Sequence, residues 1–326
     1  MKKIDIEKLH PEGVLETARE MREEDMRHYL NPATGKVRDD LCEYINCYIC
    51  DQDDTELLFE KEGFNFVKCK TCGLAYVNPR LSPERLLEFY NSRRFEYQFK
   101  NLFIKSAEYR QERFYSERLD YIESYMMPGQ LLDVGCAAGH FVESAIGRNW
   151  DAHGIEVSKY ATDYAQNVLK LRNIFNTTLI GAKFPSDYFD AITCWDTLEH
   201  LTEPLENLRE IHRILKSKGM IFVIVPNFDS AEVMLFGKDC DTIVADAHLI
   251  YFTPETLQKM LEKAGFKVVF KETKGIDIDH AIFNIVNVCN NKYDTQFLED
   301  KKDVLQEIID LAVKGNFLFM FAQKSD

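Results

Sequence analysis

The chain has 326 residues, 45% of them hydrophobic, so it can bury one large core together with a small accessory unit. Its 54 acidic and 40 basic residues, a net charge of -14, are spread along the sequence, and a surface of that sign repels polyphosphates and argues against nucleic acid as a partner. No run approaches the roughly 20 apolar residues that span a bilayer, and the opening MKKIDIEKLHPEG lacks the apolar stretch of a secretion signal, so no membrane partner and a cytoplasmic location are expected.

Residues 1–43 read as a peripheral arm. Val14, Leu15, Ala18 and Met21 recur at helical spacing, and the helix they suggest leads into a turn at Asn31, Pro32, Ala33, Thr34 and Gly35. Residues 44–80 read as short strands and turns, with a hairpin at Glu62-Gly63. This segment holds four of the nine cysteines: Cys47, Cys50, Cys69 and Cys72 form C-x2-C-x18-C-x2-C, the spacing of a tetrahedral four-thiolate zinc site. So small a segment cannot bury enough core to fold alone, and a structural zinc ion would supply the missing stability. An iron–sulfur centre, a redox dithiol and a degenerate ribbon without metal are compatible with the same pairs. Cys42, Cys194, Cys240 and Cys289 have no spaced partners, and an odd cysteine count without a secretion signal argues against a disulfide framework.

Residues 81–128 predict two or three helices forming a linker or lid, rich in aromatic residues interleaved with Arg93, Arg94, Arg110, Arg113 and Arg118. In an acidic chain these rings serve helix packing or cover a ligand, with the arginines available to a polar or anionic acceptor.

From residue 129 to 326 strand-like and helix-like segments alternate, the pattern of a doubly wound α/β fold with a parallel sheet. Seven strands are predicted, at residues 130–135, 152–157, 173–179, 190–195, 220–226, 267–272 and 317–323. Helices are predicted from Pro204 to about Ser217 and from Thr253-Pro254 to Gly265, each with proline in its first turn and glycine after its end. An insertion at about residues 274–314 carries one further helix, around residues 303–313.

The strand ending Leu131-Leu132-Asp133-Val134 runs into a small-residue turn, Gly135-Cys136-Ala137-Ala138-Gly139, that opens a helix. Gly135 and Gly139 permit close backbone approach of a ligand, and amides at the helix start can bind an anion. Position 137 is Ala where a dinucleotide fingerprint has its second glycine, so the turn suits a ligand without a pyrophosphate. Glu156 closes the next strand, at the place where doubly wound folds put the carboxylate that binds ribose hydroxyls.

With these motifs, the segment from Gly129 to Lys271 resembles the class I S-adenosylmethionine-dependent methyltransferases. Phe189-Asp190, the run Trp195 to His200, Pro226-Asn227, and His248 to Phe252 before a helix ending Lys263-Ala264-Gly265-Phe266 carry the resemblance further, toward the branch that includes ubiquinone-biosynthesis and sugar-modifying enzymes. The order of ribbon, helical linker and catalytic domain is similar to that of bacterial enzymes of surface-glycan and secondary-metabolite pathways. The resemblance implies a seven-stranded Rossmann-like sheet binding S-adenosylmethionine. Asp133, Gly135 and the amides of Cys136 and Ala137 would hold the methionine portion, with Gly139 in the turn; Glu156 and Val157 would hold ribose and flank adenine; Thr178 and Leu179 would meet adenine; Trp195 and Asp196 would line the cleft. Cys136 also reads as a small packing residue, and Trp195 as one.

Alignment of acceptor, methyl carbon and sulfur is most of what such an enzyme contributes, but a hydroxyl acceptor must also lose its proton. His248, in the loop before the second predicted helix, and His200, after the fourth strand, are the candidate bases. Glu199 and His200 also suit a capping role for the helix at 204. The leading expectation is methyl transfer to a hydroxyl of a sugar or sugar-like small molecule, such as a nucleotide sugar or glycan. Carbon or nitrogen methylation of a related metabolite, a protein or RNA methyltransferase using the ribbon for recognition, and a non-catalytic scaffold are the alternatives.

Overall fold

The computed structural model describes residues 6–9, 11, 13–287 and 295–325, so Cys289 lies outside the described residues. Five strands precede the sheet of the second half: β1 (Cys42–Glu43), β2 (Thr55–Lys61), β3 (Phe64–Cys69), β4 (Ala75–Val77) and β5 (Arg80–Leu81). Eight follow: β6 (Gln130–Val134), β7 (Asp151–Glu156), β8 (Ile174–Asn176), β9 (Phe189–Trp195), β10 (Leu215–Pro226), β11 (Ile250–Tyr251), β12 (Phe266–Lys274) and β13 (Phe317–Lys324).

Seven of these form one sheet in the order β12-β13-β10-β9-β6-β7-β8. The pairs β10–β9, β9–β6, β6–β7 and β7–β8 are parallel, and β13 runs antiparallel to both β10 and β12. Leu131, Leu132 and Val134 of β6 and Ile221 to Val225 of β10 are buried in continuous runs, because helices cover both faces of the sheet. The chain moves from β6 outward through β7 to β8 and then returns to β9 on the other side. A crevice therefore opens beyond the carboxyl ends of β6 and β9, where open α/β sheets bind ligands.

The sheet is the Rossmann-like one expected, with local differences. The predicted third strand shrinks to Ile174–Asn176 because Thr178 leaves it to cap a short helix, accepting a bond from the Gly181 amide at 3.1 Å. The helix at Pro204 stops at Ile214, since Leu215 already pairs with Phe189 as the start of β10. The insertion holds two helices among the described residues, Asp277–Asn287 and Gln296–Leu311, rather than one. The helix Pro254–Lys263 has the predicted start, with Thr253 and Thr256 closing a reciprocal capping box.

The cysteine-bearing segment forms a second, four-stranded sheet, β11-β4-β3-β2. Glu62 and Gly63, with φ of 52° and 79°, make the tight β2–β3 turn, where a left-handed conformation matches strand twist. The edge strand β11 comes from the second half of the chain and pairs antiparallel with β4. One continuous core therefore runs from Phe64, Phe66 and Tyr76 to Ile192, Leu208 and Ile221. The helix Val14–Tyr29 buries Val14, Ala18 and Met26. Among the described residues no helix is long and apolar enough to cross a membrane.

Candidate active site

Gly135 and Gly139 stand at φ of 75° and 79°, conformations that L side chains resist. A Cβ on Gly135 would meet Thr197 Oγ1 at 2.6 Å and one on Gly139 would meet Leu171 Cδ1 at 2.9 Å, so both glycines make room for protein neighbours. The turn also binds itself together. The Gly135 and Cys136 amides both donate to Ile155 O, at 2.9 and 3.1 Å, and the Ala137 amide donates to Glu156 Oε2 at 3.0 Å. The expectation that the amides of Cys136 and Ala137 stand free for a ligand is thus corrected: the chain itself occupies them. Cys136 is buried against Gly154, whose added Cβ would lie 2.7 Å from the sulfur.

Glu156 ends β7 with 7% exposure, and its Oε1 accepts from the Ser158 amide at 2.8 Å. Burial pushes its carboxyl up, against the pull of the amides of Ser158, Ala137 and Val157. Each oxygen accepts one side-chain-to-amide bond and retains a lone pair for a further donor. Asn176, which sequence reasoning did not single out, donates Nδ2 to Glu156 O at 2.9 Å and Val157 O at 3.0 Å and so fixes the end of β7 to β8. Thr178 is occupied as a cap, and Leu179 behind it is buried.

Asp133 has 3% exposure and accepts from Thr193 Oγ1 at 2.6 Å. Burial drives its carboxyl up to about 7, with the Thr193 hydroxyl and Arg118 opposing the shift. Trp195 packs edge-on to Phe141 with centroids 5.5 Å apart and lies beneath the Arg118 guanidinium at 5.0 Å. Its indole N–H has no partner among the described residues. Asp196, exposed and at φ 50°, holds Arg118 at 3.4 Å.

Beyond β9 the 3-10 turn Leu198–His200 brings Glu199 and His200 against His248. The two imidazoles stand 4.8 Å apart. His200 Nδ1 lies 2.9 Å from Ala247 O and His248 Nδ1 lies 2.7 Å from Thr242 O. Glu199 has 1% exposure, and neither of its oxygens has a hydrogen-bond partner among the described residues. Its carboxyl is pushed well up by burial and then by Asp196. Burial lowers both histidines, His200 to about 3. One ligating atom from each of the three lies within 4.8 Å of the others. Tyr90 of the linker is raised by burial and then by the charges of Glu156 and Glu199.

The fold thus gathers Asp133, the glycine turn, Glu156, Trp195, Asp196, His200 and His248 at one end of the large sheet. Arg118 is one of the linker arginines expected to be available to an acceptor, and it stands over Trp195 and beside Asp196; the aromatic and arginine spacing of the linker was its only local signal. The four cysteines lie apart, Cys69 at the end of β3 and the other three at turns beside the four-stranded sheet. Cys47 Sγ is 3.3 Å from Cys72 Sγ and Cys50 Sγ is 3.4 Å from Cys69 Sγ, with all four sulfurs within 4.8 Å of one another. Lys259 donates to Cys72 O at 3.1 Å, and Lys263 donates to Ile49 O, so the helix Pro254–Lys263 grips both knuckles.

The family described as a methyltransferase domain matches residues 106–271. A ubiquinone biosynthesis O-methyltransferase of Neisseria meningitidis is 25% identical over 195 residues, covering 53% of this chain and 78% of that protein. A protein of the same name from Aeromonas salmonicida is 24% identical over 192 residues, covering 51% and 81%. Among solved structures, a SAM dependent methyltransferase from Archaeoglobus fulgidus shares the fold with a TM-score of 0.50 at 21% identity, covering 72% of this chain and 100% of that one.

Proposed function

The chain belongs to the methyltransferase-domain family and is an S-adenosylmethionine-dependent methyltransferase, and from that premise we propose that it methylates a hydroxyl of a small, polar acceptor, a sugar or sugar-like metabolite, with His248 or His200 taking the proton. The observation that carries this reading is the pair of imidazoles at the carboxyl end of the sheet. A carbonyl only accepts, so each Nδ1 that faces one carries the proton, and each Nε2 keeps a lone pair. The name of the Neisseria and Aeromonas relatives specifies an O-methyltransferase, which supports oxygen as the acceptor atom.

The cofactor fits the cleft on one structural ground: a buried carboxylate, Glu156, is oriented by two amides with lone pairs to spare for ribose hydroxyls, beside a cleft-lining indole N–H without a partner. Asp133, Gly135, Glu156, Val157, Leu179, Trp195 and Asp196 would hold it. When bound, it supplies a methyl group on a good leaving group. The chain's own contribution is then to align the acceptor oxygen, exclude water with the linker, and receive the proton at an imidazole Nε2.

The remaining features fit the same scheme. Residues 44–80 would form a zinc ribbon in which Cys47, Cys50, Cys69 and Cys72 hold one structural zinc; Zn–S bonds of about 2.3 Å put sulfurs roughly 3.8 Å apart, close to the separations seen here. Residues 1–43 would be the arm, 81–128 the lid and 129–326 the catalytic domain. The acceptor is a small molecule rather than nucleic acid, in keeping with the charge of -14.

A radiolabelled methyl-transfer screen tests the reading, using sugars, nucleotide sugars and their amino and deoxy analogues. Labelling that requires a specific hydroxyl and is lost in His248→Gln or His200→Gln supports it. Labelling of amine or carbon positions alone, or of RNA or protein in preference to every small molecule, overturns it.

A further inference from the structure

The segment that carries His248 leans on parts of the chain outside the large sheet. Lys61 of β2 donates Nζ to Ile243 O at 2.8 Å. The Val77 amide donates to Leu249 O at 3.0 Å, extending the pairing of β4 with β11. The strongest anchor is Asp246, whose side chain is 1% exposed. Arg22, from the helix Val14–Tyr29, donates Nε to Asp246 Oδ1 at 2.8 Å. Arg94, from the linker helix Arg93–Gln98, donates Nη2 to Asp246 Oδ2 at 2.7 Å.

Both guanidiniums are committed further. Arg22 Nη1 and Nη2 donate to the two Glu62 oxygens at the tip of the β2–β3 hairpin, at 2.7 and 2.6 Å. Arg94 Nε lies 2.8 Å from Asp25 Oδ2, and the guanidinium stacks over Phe89 at 4.5 Å. A buried carboxylate between two arginines is stable only when its desolvation is offset by well-aligned charge-assisted bonds. The aligned bonds here are those of Arg22 and Arg94 to Asp246 and of Arg22 to Glu62, and they join arm, hairpin, linker and loop.

The next residues lead directly to the imidazoles. Ala247 O accepts from His200 Nδ1, the His248 amide donates to Val244 O at 2.8 Å, and His248 Nδ1 donates to Thr242 O. A displacement of Asp246 thus reaches His200 through one peptide unit and His248 through two.

We propose that Asp246 is a positioning residue that sets the His200–His248 pair, and that the arm, the hairpin and the lid act through it as a mould for the catalytic loop. This rests on the reading of that pair as the proton acceptor. It gives the arm and the hairpin a role in catalysis without contact with the acceptor.

The test uses the full chain loaded with S-adenosylhomocysteine and compares Asp246→Asn, Arg22→Gln and Arg22→Lys with the native protein by hydrogen exchange and by NMR of nitrogen-labelled histidine. Asp246→Asn is expected to raise exchange across residues 240–252 by about tenfold or more, while exchange across 130–156 and S-adenosylhomocysteine affinity stay within about twofold. The Nδ1-protonated signature of His248 is expected to weaken with it. Arg22→Gln should repeat the pattern at lower amplitude, and Arg22→Lys should restore part of it. An unchanged histidine signature and unchanged exchange in Asp246→Asn overturn the proposal; so does a loss spread equally over 130–156 with cofactor affinity falling in step. If Asp246→Asn does not fold, Arg22→Gln is judged by the same outcomes. None of these readouts requires methyl transfer, so they stand apart from a failure of the proton-acceptor reading, which would show as native turnover in both His248→Gln and His200→Gln.

Discussion

The imidazole of His248 stands edge-on to that of His200, with centroids 4.8 Å apart and ring planes at 73°, and each turns Nδ1 toward a backbone carbonyl. Each ring therefore carries its proton on Nδ1 and keeps a lone pair on Nε2. Substituting the histidine that serves as base by glutamine is expected to lower the methyl-transfer rate by about 10² to 10⁴. Substituting the other should cost less, and S-adenosylhomocysteine affinity should hold in both. Single-turnover rates and calorimetry on the same preparations separate the two effects.

Burial lowers both rings, and the neighbouring His248 adds to the depression of His200, which sits at about 3. A base works deprotonated, so the acid limb of the turnover profile is expected to fall below the ordinary histidine value of about 6.5. A lowered histidine contributes stability above its unfolded value that is lost as pH falls through the folded one. Thermal stability should therefore decline less steeply from pH 7 to 5 in His200→Gln than in the native chain. A limb at 6.5 or higher, or parallel melting curves, would contradict this.

Glu156 accepts one bond on each oxygen and offers its remaining lone pairs to the cleft. Loss of charge-assisted bonds to two hydroxyls costs about 1.5–3 kcal/mol each, so Glu156→Ala is expected to weaken S-adenosylmethionine binding by at least about a hundredfold. Glu156→Gln should fall between. Calorimetric titration reads both, and unchanged affinity in the alanine variant would remove Glu156 from the site.

Asp133 is a buried acid whose carboxyl is raised to about 7. An acid raised in the folded state favours the folded form at pH below its unfolded value and withdraws that contribution as pH rises through the folded value. Between about pH 4 and 7 this residue should therefore make the protein progressively less stable as pH increases. Asp133→Asn is expected to gain a few °C in melting temperature over the native chain at pH 8 and to lose the advantage near pH 5. Scanning calorimetry across that range measures it.

The proposed zinc site predicts close to one zinc per chain in protein purified without added metal. Cys47→Ser or chelation should cost about 3 kcal/mol or more of stability, since such a small sheet has little core of its own. The edge strand β11 should loosen with it, because it pairs with β4, three residues beyond Cys72. Elemental analysis with hydrogen exchange over residues 247–252 checks both, and a metal-free, fully folded chain would exclude the site.

Much of the large sheet was legible in the sequence for a plain reason. Strands buried on both faces read as unbroken apolar runs, as in Leu131-Leu132 and Ile221 to Val225, and the helices beside them carry their own punctuation, as at Pro254 and Gly265. Element ends were less legible where a local reading met a tertiary one. Leu215 continues the apolar stripe of its helix but pairs with Phe189, and Thr178 continues a strand-like run but caps a helix.

The sequence by itself determined the succession of strands along the chain, the glycine turn, the acid at Glu156 and the cysteine spacing, since each depends on neighbours within a few residues or on a fixed period. Only the tertiary structure decided that the turn's amides close on Ile155 and Glu156, that β11 completes the cysteine-bearing sheet, and that Arg22 reaches Asp246 across 224 positions. Bonds of that span leave no periodic trace in a single chain. They form because desolvated donors and acceptors must find partners once the core has closed, and which partners are near is decided by the packing.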